Sequence, residues 1–581
     1  MIPSPPRIDW LRAAPGLTLA LFLGPILAGL VGTLAPALGL GPVGEARLSP
    51  SAFETLLAQP GLAGSVRLTL TTGFSATAIA LLFACGFVAA ASARPGFARF
   101  ERALAPLLAT PHVAVAIGFA FLIASSGLFA RLVSPWLTGW ERPPPVAIVR
   151  DPWGMSYVAG LVLKETAFLV LMMLAAQGQA RVRPALAAAR ALGYSPLTAW
   201  AKVALPAIYR RIRLPVYAVL AFSLSNVEVA LVLAPGTPPP LAVLALRWFS
   251  SHDLAVFAPA NAAAILQLAI VIGGIGLWRL AEIAAAALGR RWCARGARGG
   301  LAAPLLVVGA AGALLSGALT ILAIVAMGVW SLATRWTYPS ALPDAFTLAT
   351  WSRAGPALAD LVGTSAAIAA IASLVALVLA LACLENEARR GVRPGAGALW
   401  LLYLPLLVPQ IAFLFGAQVL IVRLAIDGTL FAVVWAHLLF VLPYVFLSLA
   451  DPFRALDPRY ARISAGLGIG PWRTFFTVKL PMLARPIAVA FAIGFSVSIA
   501  LYLPTLFAGA GRVATLTTEA VALASGSDRR IIGATAFLQA LLPLLVYAIA
   551  LAPAHGPPLA LRMSRVRAGL AAWATVGRGA S

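Results

Sequence analysis

Six polar residues interrupt strongly apolar stretches of this 581-residue chain: Lys164, Glu165, Asn226, Glu228, Ser496 and Ser498. Ionisable side chains are costly inside a membrane, so they usually face a protein interior or a watery cavity. Acidic groups on such a cavity would attract a cation. We therefore predict that these residues line a pathway for a polar solute. The alternative is that they form hydrogen bonds between neighbouring helices.

No pattern in the sequence predicts catalysis or cofactor binding by the chain itself. The four histidines and three cysteines do not have metal-ligand spacing. A phosphate-binding P-loop needs a Gly-Lys pair, but Lys164, Lys202 and Lys479 are the only lysines and none follows a glycine. We therefore expect no catalytic residue, no metal and no bound cofactor in this chain.

The elements that must position these residues are membrane spans. Charged residues make up 11% of the chain and hydrophobic residues 61%, whereas about 25% of a soluble protein is charged. Twelve apolar stretches have about the 20 residues that cross a bilayer as a helix. They are residues 16–38, 64–92, 107–130, 155–178, 214–234, 257–280, 302–330, 361–384, 399–423, 430–450, 484–507 and 531–553. The predicted fold is an all-α polytopic membrane protein.

The net charge of +24 follows the loops between these stretches. If the N-terminus lies in the cytoplasm, most Lys and Arg residues fall in cytoplasmic loops, which is the positive-inside rule. A nucleic-acid-binding surface would instead gather its basic residues on one folded face. The charge therefore predicts a multi-pass protein in a lipid bilayer, with both termini in the cytoplasm and no nucleic-acid partner.

One cytoplasmic stretch occurs twice, and the two copies align without a gap. Residues 193–206 (GYSPLTAWAKVALP) form the first segment, and residues 468–481 (GIGPWRTFFTVKLP) form the second segment. Ser195 or Gly470 suits a helix N-cap, and the proline after it suits the first turn. The second proline of each segment should end the helix. Each segment thus predicts a short helix whose apolar face could enter a partner's groove. The predicted faces are Leu197, Trp200 and Ala204 in the first segment, and Trp472, Phe476 and Leu480 in the second.

The residues ahead of the two segments also repeat. Three pairs share a second constant spacing: Cys85 and Cys383, Pro111 and Pro409, Gly118 and Gly416. We therefore predict two halves, 1–288 and 301–581, joined by a basic connector, 289–300. Six spans per half is an even number, so the halves run parallel about a pseudo-two-fold axis along the membrane normal. Both segments then face the cytoplasm.

The repeated loops, near 187–210 and 462–485, resemble the signature of bacterial ATP-binding cassette (ABC) importer permeases of type I. That signature reads Glu-Ala-Ala, three residues, Gly, nine residues, Ile, one residue, Leu-Pro. Both loops match from the glycine onward, with Val203 and Val478 in the Ile position, whereas Ala187 and Arg462 replace the Glu. The whole chain is similar to the fused permeases of the ferric-iron and thiamine type, which carry two halves in one polypeptide.

The resemblance implies an inner-membrane permease that imports a small solute such as iron, thiamine or a related cation. Two copies of a P-loop ATPase, which use ATP and Mg²⁺, would dock on the two coupling helices. A periplasmic solute-binding protein would deliver the solute, and the fused chain would replace a permease dimer. The implied docking residues are Gly193, Pro196, Leu197, Trp200, Val203, Leu205 and Pro206, together with Gly468, Pro471, Trp472, Phe475, Val478, Leu480 and Pro481.

Two other classes remain open. A secondary transporter driven by an ion gradient can also have six plus six parallel spans. It would explain Lys164 and Glu165, but it would not explain the duplicated cytoplasmic segment. A membrane-embedded enzyme or assembly scaffold has less support, because no catalytic cluster recurs at the membrane face.

Overall fold

The computed structural model describes residues 10–40, 48–92, 110–180, 182–392, 395–526 and 528–552. Within these ranges the regular structure is helical, apart from one isolated bridge between Ala333 and Phe346. The two chain termini, which were predicted to be cytoplasmic, lie outside the described residues. So do residues 107–109 and 553, the ends of two predicted spans.

The first half contains twelve described α-helices and one π-helical turn. They are α1 (Ala14–Ala37), α2 (Ser51–Leu57), α3 (Leu62–Ser92), α4 (His112–Ile123), α5 (Leu128–Leu132), α6 (Met155–Ala180), α7 (Arg183–Ala191), α8 (Pro196–Ala199), the π-turn Trp200–Ala204, α9 (Leu205–Ser225), α10 (Glu228–Leu233), α11 (Leu241–Phe249) and α12 (Phe257–Ala294).

The second half follows a similar order over its described residues, except that α2 and α5 have no separate counterparts there. Its helices are α13 (Ala302–Leu332), α14 (Ala349–Arg390), α15 (Ala396–Leu407), α16 (Gln410–Arg423), α17 (Leu430–Arg454), α18 (Arg459–Gly466), α19 (Pro471–Thr474), the π-turn Phe475–Lys479, α20 (Leu480–Met482), α21 (Ala484–Ala500), α22 (Leu503–Gly509), α23 (Leu516–Leu523) and α24 (Arg529–Leu551).

The fold class of an all-α polytopic membrane protein is confirmed. In the described part of the chain, nine helical stretches are long and apolar enough to cross a membrane, one of them being His112–Leu132, which comprises α4 and α5. They account for nine of the twelve predicted spans. Predicted spans 214–234, 399–423 and 484–507 are each divided instead. In 399–423 the two parts meet at 104°, because Val408 precedes a proline and takes the extended backbone that such a residue prefers.

The helix boundaries repeat between the two halves. Helices α9 and α21 end at Ser225 and Ala500, and the helices after them begin at Glu228 and Leu503, so both breaks fall at equivalent positions of the repeat. Pro111 and Pro409, which pair at the second spacing, are both extended residues that immediately precede a helix. The repeat inferred from a few residue pairs therefore extends to the backbone.

The first helix of each half packs against the opposite half. Helix α1 lies on α16, where Gly29 and Gly416 are so close that a Cβ on either would collide with a backbone carbonyl oxygen of the other helix. Helix α13 lies on α3 and α4, where Gly118 faces the backbone of Ala323 in the same way. Small residues allow such close helix contacts in membranes. Through these contacts the first helix of each half packs closely against helices of the other half.

Candidate functional sites

The first and second segments have the same backbone. Gly193 and Gly468 both have positive φ, 84° and 72°, and end the preceding helices. The residues that follow then turn into α8 and α19, each of which begins with a proline. Ser195 caps α8 because its Oγ accepts a hydrogen bond from Thr198 N at 3.3 Å. Gly470 is in the equivalent position and has no side chain to do so.

The prediction that the second proline ends the helix is wrong for the first segment. In the first segment, α8, the π-turn and α9 follow one another without a break, so Pro206 lies inside a continuous helix. The amide of Leu205 bonds to the carbonyl of Trp200, and the amide of Leu480 bonds to that of Phe475. In a regular helix, a proline ring clashes with the carbonyl group four residues earlier. The wider π-turn moves that carbonyl group away from the ring. The second segment continues through Pro481 and bends at Leu483, by 74°.

The two segments bury one aromatic residue each. Trp200 is 1% exposed and Phe475 is 6% exposed, at equivalent positions of the repeat. Trp200 packs in an apolar cluster with Ile208 and Leu306, and Phe475 in one with Leu449. Both residues therefore attach a segment to its own chain. The prediction that Trp200 lies on the outward apolar face is wrong, because that face of the first segment turns inward.

The remaining predicted docking residues lie at or near the surface. Gly193, Pro196, Pro206, Gly468, Pro471 and Pro481 are exposed, and Leu197, Val203, Leu205, Val478 and Leu480 are partly buried. Trp472 is 50% exposed, and its ring stacks on that of Phe476, which is 57% exposed. These two rings are the largest apolar groups presented outward by either segment.

Sequence reasoning missed two further exposed residues beside these rings. Ile463 and Leu467 belong to the loop before the second segment, and both are exposed. Together with Trp472 and Phe476 they form the second-segment patch. The equivalent residues of the first half are Ala188, Leu192, Leu197 and Ala201, of which only Leu192 is a large exposed side chain. A comparison of the two loops position by position would have shown this difference.

The connector holds the first segment. Predicted as a linker over residues 289–300, it begins as the last turns of α12. Lys202 Nζ donates to Ala297 O at 2.6 Å and lies over the rings of Trp292 and Tyr194, 4.5 and 4.7 Å from their centroids. Tyr194 Oη donates to Gly296 O at 3.2 Å. The surface around the first segment is thus built by segment and connector together.

A carboxylate holds the second segment. Lys479 Nζ lies 2.7 Å from Glu385 Oε2, and Arg389 Nε lies 2.8 Å from Glu385 Oε1. The guanidinium of Arg389 also lies 4.5 Å from the ring centroid of Trp472. Glu385 is at the end of α14 and is almost fully buried. Sequence reasoning missed this carboxylate, although it stands out as an acidic residue ahead of a basic loop.

In the first half, two of the predicted pathway residues, Glu165 and Glu228, lie near a histidine. His112 Nε2 lies 3.3 Å from Glu165 Oε1, and Glu228 is close enough to His112 to interact with it electrostatically. Asn226 sits in the break between α9 and α10, where its Oδ1 accepts from Val229 N at 2.8 Å. Its Nδ2 is buried without a hydrogen-bond partner among the described residues. Lys164 is buried on the same helix as Glu165.

In the second half, the positions equivalent to the two glutamates are uncharged. Ser498 Oγ and Thr505 Oγ1 lie 2.7 and 2.8 Å from the two ring nitrogens of His437, which is buried. This network spans the break between α21 and α22. Ser496 donates its hydroxyl to Ala492 O within its own helix, at 2.7 Å. Both serines therefore have protein partners, and the charged part of the candidate pathway lies in the first half.

Among the described residues, no group of three or more His, Cys, Asp and Glu side chains is arranged to hold a metal ion. The pair formed by His112 and Glu165 can exchange a proton or offer a negative charge to a cation. It lies where α4, α6 and α9 meet, because the ring of His112 also contacts that of Phe222, 4.7 Å between centroids.

A polytopic helical protein with a duplicated, proline-containing short helix is consistent with a membrane permease. No protein-family model matches the chain. It is 32% identical, over 534 residues, to the inner membrane ABC transporter permease protein YnjC of Escherichia coli (strain K12), and the match covers 91% of this chain and 94% of that protein. The chain belongs to the ABC transporter permeases.

Proposed function

We propose that the chain is the fused transmembrane subunit of an ATP-driven importer in the bacterial inner membrane, and that it replaces a permease dimer. Separate P-loop ATPase subunits, two per chain, hydrolyse ATP with Mg²⁺ and dock on the first and second segments. The observation that carries this proposal is the repeat of one backbone, from the positive-φ glycine to the π-turn, at equivalent positions of a permease-family chain.

The positions of the two segments support docking on one side of the membrane. The first segment packs against Leu306, at the start of α13, and the second is paired with Glu385, near the end of α14. A chain that enters the membrane through α13 and returns through α14 brings these two helix ends to the same side. Two like ATPase subunits could then contact both segments at once.

The continuous helix of the first segment provides a route for force. A push on residues 196–205 moves α9 as a rod, because the π-turn keeps the helix unbroken. The far end of α9 is the break at Asn226, next to Glu228 and the pair of His112 and Glu165. ATP-driven movement of the segment would therefore reach the charged part of the candidate pathway.

The side chains of this pathway favour a cationic solute. Glu165 and Glu228 both carry buried carboxyl groups, and both lie near His112. The Nδ2 donor of Asn226, which has no partner in the described part of the chain, can bind a polar group. A periplasmic solute-binding protein would supply an iron complex, thiamine or another small cation, and the solute would move inward.

The experiment is co-purification with a P-loop ATPase encoded beside this chain, followed by solute uptake in vesicles with and without ATP. Replacing both Trp472 and Phe476 by Glu should abolish ATPase binding at the second segment and so lower the amount of ATPase bound per chain, because the charges face the groove of the ATPase docked there. The matched control, Leu342→Glu with Phe346→Glu, makes the same change at exposed residues between α13 and α14 and should retain binding. Uptake that continues without ATP while an ion gradient is intact would instead support a secondary transporter.

A further inference from the structure

A groove between α9 and α12 combines charged and apolar walls. It encloses about 460 Å³. Its polar end is formed by Arg213, Arg279 and Tyr217, and its apolar floor by Leu214, Ile272, Ile275 and Gly276. A Cβ placed on Gly276 would meet nothing within 4 Å, so the floor is open there.

The charged end of the groove has a surplus positive charge. Arg213 Nε and Arg279 NH1 lie 3.1 and 2.8 Å from one carboxylate oxygen of Glu282. Glu282 also accepts hydrogen bonds from Tyr209 Oη at 2.7 Å and Tyr217 Oη at 3.1 Å. One buried carboxylate thus serves two guanidinium groups, each with five N–H donors. Both arginines are more than a third exposed, which leaves donors for an outside anion.

The residues beside the groove are of the types expected at the depth of lipid headgroups. Trp278 and Tyr209 form a hydrogen-bonded aromatic pair beside it, and such residues are enriched at the membrane–water interface. Ile272, two turns from Arg279 along α12 toward the membrane interior, is 62% exposed. An acyl chain is the natural contact for an exposed isoleucine inside a span, while the arginines lie where a headgroup would be.

We propose that this groove binds one acidic phospholipid, with its phosphate on Arg213 and Arg279 and an acyl chain along Ile272 and Gly276. Basic pockets between helices on the cytoplasmic side are known to suit anionic headgroups. The proposal is independent of the transported solute and of the ATPase. The second half does not repeat the groove, because Ala488 and Ala492 occupy the positions equivalent to Arg213 and Tyr217. One site per chain is therefore expected.

The test is native mass spectrometry of the purified full chain in detergent, with phosphatidylglycerol or phosphatidylcholine added at equal concentration. The wild-type chain should retain one phosphatidylglycerol in preference to phosphatidylcholine. Arg279→Gln should weaken that binding by roughly fivefold, the contribution of one arginine near an anionic surface. Arg211→Gln is the matched control: Arg211 is exposed on α9 and outside the groove, so binding should be unchanged.

A second variant leaves every charge in place. Gly276→Leu fills the groove and should remove the bound lipid while the melting temperature without lipid stays the same. Equal retention of the two lipids by the wild-type chain, or equal weakening by Arg211→Gln and Arg279→Gln, would overturn the proposal. Full competition by inorganic phosphate at a matched concentration would assign the arginines to free phosphate and overturn the lipid assignment.

Discussion

The first and second segments differ in what holds them. In the first, Lys202 is bound by a carbonyl group and two aromatic rings of the segment and connector. In the second, Lys479 is paired with the buried carboxylate of Glu385. The first runs straight into α9, whereas the second bends by 74° before α21. The two copies thus share a backbone shape but differ in their attachments, so the two segments present unequal surfaces.

The largest expected effect comes from the buried aromatic residues. Trp200→Ala should lower the free energy of unfolding by about 3–5 kcal/mol, because the indole is fully buried and leaves a cavity. Phe475→Ala should have a smaller effect because its ring is smaller and slightly more exposed. Thermal unfolding in detergent measures both. Trp472→Ala, at a half-exposed position of the second segment, is the control and should change stability by less than about 1 kcal/mol. Equal losses for Trp200 and Trp472 would contradict this assignment.

A smaller effect is expected at the ionic attachment of the second segment. Glu385→Gln removes the charge shared by Lys479 and Arg389. Breaking a fully buried pair costs about 3–5 kcal/mol, but solvent reaches both basic partners here. The variant should therefore lose about 2 kcal/mol of stability, less than a fully buried pair would. Lys202→Met, in the first segment, should reduce stability by about 1 kcal/mol, since no carboxylate is left unpaired. Chemical denaturation measures the loss of stability in both variants. A larger loss for Lys202→Met than for Glu385→Gln would contradict the difference between the two attachments.

The smallest expected effects sharpen the difference between the exposed surfaces. Leu192 and Leu467 are equivalent and both are exposed. Leu467→Ser should weaken ATPase binding about tenfold, because Leu467 is one of the four exposed apolar side chains of the second-segment patch and burial of a leucine contributes about 1.5 kcal/mol or more. Leu192→Ser should weaken binding less, since its neighbours are alanines and half-buried Leu197. A binding titration with the purified ATPase compares the two. The unfolding midpoints should stay unchanged, which separates lost binding from lost folding.

The sequence by itself determined the membrane class and the presence of the repeated segments. Long runs of apolar residues form membrane-spanning helices. Glycine and proline constrain the backbone locally. The local backbone conformation therefore does not depend on the surrounding tertiary contacts at Gly193, Gly468, Pro196 and Pro471. The constant spacing between the two copies could be recognised for the same reason, because it relates positions at which the backbone conformation requires a particular residue type.

Only the tertiary structure decided which side chains face inward and which polar groups meet. Trp200 looked available on a helical face, but the packing of α13 against the first segment covers it. His112 was one of four scattered histidines until α4 and α6 brought it to Glu165. Glu385 and Lys479 are 94 residues apart and pair only because α14 ends beside the second segment. These contacts depend on which helices lie side by side, and local residue preference carries no information about that.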